Sequence, residues 1–367
     1  MGRQTDILFL GLHRPGRSPS QRYRIEQFLP AIEEMGLRYD YRFLLDEQMD
    51  KVFYSPGAYF GKALIVLKSL FSLVKWTFID AKKYRYIFVQ REAWMLGTAF
   101  FEKQMAKRAK LIFDFDDSIW LPNVSAANQK LAFLKNPSKT SDIIQVAHCT
   151  VVGNPYLADY AGQFTKNIVL IPTAVDTDEY HRRRPLAVKK DGRVCIGWSG
   201  SQTTIEHFKL LEPVLREIKA KYGEKVFFKV VGDGTYENRE LGIQGIQWTR
   251  ETELAALEEI DIGIMPLPDD EWSKGKCGLK ALVYMAMEIP AVLADVGVNS
   301  EIVTDGVTGL LSASHEAWIE KLSLLIENAE LRYQLGKAGR ERVEASYSVK
   351  ANQAKFIALF PGGSAAL

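Results

Sequence analysis

The stretch from Ile260 to Leu311, IDIGIMPLPDDEWSKGKCGLKALVYMAMEIPAVLADVGVNSEIVTDGVTGLL, decides how this chain is read. It opens on an apolar run, Ile260–Met265, of the length and composition of a strand buried on both faces. A polar loop follows and gives way to a helix beginning near Gly278. A second apolar run, Ala291–Ala294, succeeds that helix, so the order is strand, helix, strand. Lys276 and Lys280 lie four apart and are expected to share a face where the helix begins. Two cations at a helix N-terminus oppose its dipole. A bound polyanion would relieve that conflict; the plainer alternative is a solvated basic face. Glu301 is expected at the same edge, or else as a carboxylate near the start of the next helix.

Working outward, the same alternation runs through the whole chain. Further strand candidates are Asp6–Leu12, Tyr86–Gln90, Leu111–Asp116, Cys149–Gly153, Ile168–Pro172, Arg193–Ser199 and Val226–Val231. Continuous apolar runs separated by helical spacing imply an α/β fold with parallel sheets. At about 150 residues per domain, 367 residues suggest two domains. The basic, aperiodic segment 181–193, HRRRPLAVKKDGR, reads as the linker between two Rossmann-like domains. We therefore expect an N-terminal domain over 1–185 and a second over 186–345. A C-terminal helix and tail, 346–367, is expected to return toward the first. In such sheets ligands bind beyond the carboxyl ends of the strands, so two domains facing a cleft are expected.

Composition narrows the function classes. Apolar residues are 47% and charged residues 25%, as in an ordinary globular chain rather than a disordered or polytopic one. A formal charge of +2 is too small to suggest nucleic acid as a partner. Three separated cysteines build neither a disulfide framework nor a zinc site, which fits a reducing compartment. The opening DILFLGL has no basic-then-apolar leader, so a cytoplasmic location is expected.

Other segments carry candidate chemistry. The first strand runs into LHRPGRSPSQRYR, where Gly11 and Gly16 suggest flexibility. Ser18 and Pro19 read as N-cap and first helical residue. Arg14, Arg17, Arg22 and Arg24 surround that helix start and suit a phosphate or carboxylate. The third strand candidate ends in DFDD, with Asp114 and Asp116 on one side and Asp117 on the other. These carboxylates suit a metal, a sugar hydroxyl or a base; the alternative is capping, or ion pairing to Arg22 or Arg91. In IGWSGSQTTIEHF, Trp198–Gly200 form a tight strand end, and Thr203 with Glu206 fits a capping box. KVVGDG, residues 229–234, reads as a strand and turn. The stretch 62–79, KALIVLKSLFSLVKWTFI, places Lys68, Ser72 and Lys75 on one helix face, continued by Lys82. Its interior lysines argue against a spanning helix. It is either an interfacial helix on an anionic membrane or a helix buried on the first sheet.

The opening stretch resembles the retaining glycosyltransferases of the GT-B fold, in the large family that builds polysaccharides and glycoconjugates. The likeness is carried in order by Gly278, Tyr284-Met285-Ala286, Glu288-Ile289-Pro290 and Glu301-Ile302-Val303 through Leu311. IPTAVDTDEY, residues 171–180, is similar to the family's segment closing the first domain. The chain departs from the pattern in several places. Gly275 and Val283 stand where the family often has two glutamates, Glu288 stands where its G-x-P turn has glycine, and Ser201 replaces an arginine. Lys276 and Lys280 are candidates to replace the missing cations, and Asp116 to replace a first-domain histidine.

The resemblance implies sugar transfer from a nucleoside diphosphate sugar to a glycan or lipid-linked acceptor, with retention. Pre-aimed cations and helix N-termini would make a metal unnecessary, and no cofactor is expected beyond the nucleotide sugar as co-substrate. Lys276, Lys280, Ser201 and Gly200 are expected on the donor diphosphate, and Glu301 and Gly278 on the donor sugar or ribose. Asp116 and Asp117 are the catalytic candidates. The four arginines are expected at an acceptor or phosphate, and an anionic membrane surface on the cytoplasmic side is a candidate partner. A sugar-nucleotide epimerase of the same fold, and a degenerate transferase serving as a scaffold, are the alternatives. No strand is followed by a clean G-x-G-x-x-G, which argues against a Rossmann oxidoreductase.

Overall fold

The computed structural model describes residues 5–121, 130, 133–181 and 192–361. The chain divides into two compact units, one comprising Met1–Thr173 with Asn352–Leu367 and the other Ala174–Ala351. Of the expected linker 181–193, residues 182–191 lie outside the described ones.

The first unit holds strands β1 (Ile7–His13), β2 (Tyr39–Leu45), β3 (Tyr86–Gln90), β4 (Lys110–Phe115), β5 (Cys149–Val152) and β6 (Ile168–Leu170). They form one sheet in the order β2-β1-β3-β4-β5-β6, every pairing parallel. The apolar runs become strands because both faces are covered: Ile7, Leu8 and Phe9 of β1 and Ile87, Phe88 and Val89 of β3 are fully buried. On one face the rings of Phe9, Phe28, Phe88, Phe356 and Phe360 pack together, Phe28 stacking on Phe356 at 4.4 Å. The terminal helix Val349–Ile357 thus gives Phe356 to this core. The sequence reading found five of the six strands. It missed β2, whose mostly half-buried YDYRFLL lacks the continuous apolar run of a central strand.

The second unit holds β7 (Val194–Ser199), β8 (Val226–Gly232), β9 (Glu237–Asn238), β10 (Ile243–Gln244), β11 (Ile246–Gln247), β12 (Ile262–Met265), β13 (Ala291–Ala294) and β14 (Leu310–Ser312). Its parallel sheet runs β11-β8-β7-β12-β13-β14, while β9 and β10 make a short antiparallel pair. The helix Leu279–Ala286 is buried on nearly every side, which is why its sequence is apolar all round. Glu288, at the family's glycine position, adopts φ +55°, the left-handed conformation that glycine tolerates without cost. The turn geometry therefore persists without its usual residue.

Each sheet has one place where consecutive connections leave in opposite directions. In the first it lies between β1 and β3; in the second, between β7 and β12. Loops beyond the carboxyl ends of those strands diverge and leave room for a ligand.

Candidate functional site

At the carboxyl end of β7 the chain turns sharply at Gly200, where a Cβ would lie 2.2 Å from the Trp198 ring. Ser201 then caps a short 3-10 turn, Gln202–Thr204, reciprocally with Thr204. The capping pair is thus Ser201 and Thr204, and the expected Thr203–Glu206 box does not form. The turn tightens at once against Trp198, so the cap comes two residues earlier. Tyr284, buried in the helix Leu279–Ala286, fixes that helix at the divergence point. Its hydroxyl accepts from the Ser199 amide at 2.7 Å and donates to the Ile264 carbonyl at 3.4 Å.

Lys280 is one turn before Tyr284, so the same clamp sets it beside the end of β7. Its Nζ lies 5.4 Å from the Trp198 ring centroid. Lys276 precedes the helix, and its Nζ lies 4.9 Å from the Trp272 ring. The expected shared helical face is therefore corrected. Gly278, at φ +67°, stands between them as the cap and takes Lys276 off the helix. A side chain at Gly278 would strike Ile302 at 2.1 Å. That close approach brings the helix Asn299–Ile302, and with it exposed Glu301, to the same end. Partial burial raises the Glu301 carboxyl above its usual range. The turn at 232–234 is structural: Asp233 accepts from the Thr235 amide at 2.9 Å and its hydroxyl at 2.6 Å.

The first unit gathers its polar groups at the ends of β1, β3 and β4. Ser18 and Pro19 open the helix Pro19–Arg24 as expected, although the Ser18 side chain makes no capping bond. Gly11 is not a flexible loop residue. It sits within β1, where a Cβ would strike Gln21 at 2.7 Å, and Gln21 clamps the backbone of His13 through bonds of 2.8 and 2.7 Å. Arg24 is buried with Asp114 and also donates to the Ile171 carbonyl. Burial pushes the Asp114 carboxyl up to about 6, against the pull of Arg24. Arg22 is buried and donates to the Tyr23 hydroxyl. Arg14 and Arg17 sit instead on Asp50, at 3.7 and 2.6 Å. The four arginines thus do not form one anion site: two are built into the interior and two border the loop.

Asp116 and Asp117 share one guanidinium. Arg91 Nε donates to Asp116 at 2.8 Å and Nη2 to Asp117 at 2.6 Å. Ser20 Oγ donates to Asp116 at 2.5 Å, and Gln90 donates to Ser20 at 2.6 Å. Burial acts to raise the Asp116 carboxyl, but Arg91 and Ser20 outweigh it and hold it low. Arg91 is itself left-handed, at φ +62°. Sparsely populated backbone conformations of this kind cluster at functional sites. Sequence reading had Arg91 only as a bridging partner and missed Ser20, Gln90, His13 and Asp50 as neighbours. The available signal was position, since Gln90 and Arg91 close the strand beside the divergence point. Among the described residues, no three His, Cys, Asp or Glu side chains converge as metal ligands.

Comparisons with known proteins fit this geometry. Residues 193–328 match the family model described as glycosyl transferases group 1. A sucrose-phosphate synthase from Thermosynechococcus elongatus superposes with a TM-score of 0.71 at 14% identity, over 97% of this chain and 98% of that one. A glycosyltransferase from Rickettsia africae gives 0.68 at 13% identity, over 97% of each chain. HepE from Anabaena, in complex with UDP and glucose, gives 0.66 at 15% identity, over 98% of this chain and 100% of that one. A sequence comparison with curated proteins finds no match. The chain thus has the GT-B fold of the solved glycosyltransferases it superposes on, and its residues 193–328 match the glycosyl transferases group 1 family.

Proposed function

We propose that the enzyme moves a sugar from a nucleoside diphosphate sugar, held by the second unit, to a hydroxyl of a glycan or lipid-linked acceptor held by the first. One observation carries this reading. Lys280 opens the helix Leu279–Ala286 at the divergence point of β7 and β12, so a cation and a helix N-terminus share one place. As the glycosidic bond breaks, negative charge gathers on the leaving diphosphate. Cations and amides already in position stabilise that charge without reorganising. Lys276 adds a second cation beside the same helix. Gly200 and Ser201 let backbone approach the diphosphate, and Gly278 and Glu301 face the sugar or ribose. A UDP donor is favoured by the UDP and glucose bound to HepE.

On the first unit, Asp116 and Asp117 bind acceptor or donor hydroxyls, with Arg14 and Arg17 at the acceptor side. Both aspartates already accept from Arg91, which favours hydroxyl recognition over a divalent ion and supports a metal-independent reaction. Retention rests on the resemblance of Glu301–Leu311 to the retaining enzymes. The test is a thermal-shift screen of nucleoside diphosphates, followed by transfer assays with and without chelator. A selective rise in melting temperature identifies the base, and the anomeric configuration of the product reports retention. Absence of both a selective shift and sugar release from any donor would overturn the reading. An altered sugar formed from donor alone would replace transfer with epimerisation.

A further inference from the structure

The helix Tyr59–Lys75 has two apolar faces. One packs inward through Ile65, Ser69 and Leu73. The other faces solvent as a row with alternating four- and three-residue steps: Phe60, Leu64, Leu67, Phe71, Val74 and, in the following π turn, Phe78. Phe60 is 79% exposed and Phe71 68%. Neither of the two sequence alternatives describes this helix fully, since it is anchored on one face and bare on the other. Contiguous exposed apolar surface of this size marks an interaction site.

The segment that carries the row has charge of one sign. Between Lys51 and Ile79 the sequence has no Asp or Glu but has Lys62, Lys68 and Lys75. Lys68 and Lys75 are exposed on one flank, and Lys82 and Lys83 follow. Among them Lys68 lies 3.7 Å from Asp46 and Lys83 2.6 Å from Asp80. The row also runs into a basic cavity. Phe78 packs on Phe100 at 6.2 Å, and the Arg108 guanidinium lies 4.8 Å from the Phe78 ring. Arg108 lines an open cavity of about 530 Å³ together with Arg85, Lys107, Lys110 and His148, and no carboxylate is among its lining residues. No helix among the described residues is long and apolar enough to cross a membrane.

We propose that this surface docks on an anionic lipid bilayer. The phenylalanine and leucine row enters the acyl boundary, and the basic cavity receives a lipid phosphate headgroup. An apolar stripe bordered by lysines is the arrangement of interfacial helices, and each cation near an anionic surface adds to the attraction. A second copy of this chain on the same face would bring cations against cations, which disfavours it as the occupant. The inference is independent of which sugar or acceptor the enzyme uses, because none of these residues belongs to the candidate site.

The test is co-sedimentation of the full chain with vesicles of phosphatidylcholine alone and with phosphatidylglycerol added, at low and high salt. Binding is expected only to the anionic vesicles and is released by salt. F71E should cut partitioning at least tenfold, and R108Q and K110Q about fivefold each, with melting temperatures unchanged because these groups are at the surface. Equal recovery in the supernatant with and without anionic vesicles overturns the proposal. So does wild-type binding in all three variants. A dimer in light scattering that F71E dissolves, without vesicle binding, assigns the row to self-association instead.

Discussion

The two carboxyl edges treat charge in opposite ways. In the first unit, Arg24 meets Asp114, Arg91 meets Asp116 and Asp117, and Arg17 meets Asp50. In the second, Lys276 and Lys280 lie over the indoles of Trp272 and Trp198. A guanidinium already bonded to a carboxylate holds that carboxylate in place and attracts a further anion weakly. An ammonium over an aromatic face is held by a weaker contact, of about 0.5–2 kcal/mol. The first edge therefore positions carboxylates, while in the proposed function the lysines of the second meet the donor diphosphate.

The largest expected effect tests the structural side of this contrast. Arg24→Ala leaves Asp114 buried without its cation. Removing one partner of a buried pair costs about 3–5 kcal/mol, so a marked fall in melting temperature or insoluble protein is expected. A near-normal melt would show that the pair is not what holds this edge. Next come Lys276→Ala and Lys280→Ala. A hydrogen bond to a charged group is worth about 1.5–3 kcal/mol, so each variant should lose about 10- to 100-fold in kcat/KM. The loss should reach turnover as well as affinity, with folding unchanged by circular dichroism. Kinetics within about twofold of wild type in both would return the lysines to a solvated basic face.

Asp116→Ala sharpens the comparison from the other edge. About a tenfold loss of transfer is expected, on the low side of one charged hydrogen bond, with wild-type activity insensitive to chelator. Abolition by chelator and rescue by a divalent ion would reassign the aspartates to metal binding. The smallest effect belongs to Asp50. Burial acts to raise its carboxyl, but hydrogen bonds from His13 and Arg17 outweigh this and lower it to about 2. Stability from a lowered carboxyl is complete above its unfolded value and is lost as pH falls through the folded one. Asp50→Asn should therefore melt earlier at pH 7, by the equivalent of about 1 kcal/mol at this loop edge. The gap should close as pH drops from about 4 toward 2. A gap independent of pH would mean that the ion pairs contribute nothing.

The sequence by itself determined the α/β class and nine of the strands, and it singled out Lys276, Lys280 and the DFDD segment as candidates. Strands buried on both faces must be continuously apolar, and the chemistry-bearing residues follow them in the chain. β2, β14 and the short β9–β11 escaped because an edge or short strand needs no such run. Tertiary structure alone decided which charges meet. Arg24 and Asp114 are ninety residues apart in sequence, and so is no neighbour that periodicity can see. Gly11, inside the expected strand Asp6–Leu12, suggests flexibility until Gln21 closes on it. The helix Tyr59–Lys75 reads as uniformly apolar until packing takes one face and leaves the other bare. Periodicity reports what a segment tends to form; burial and pairing depend on what the rest of the chain brings against it.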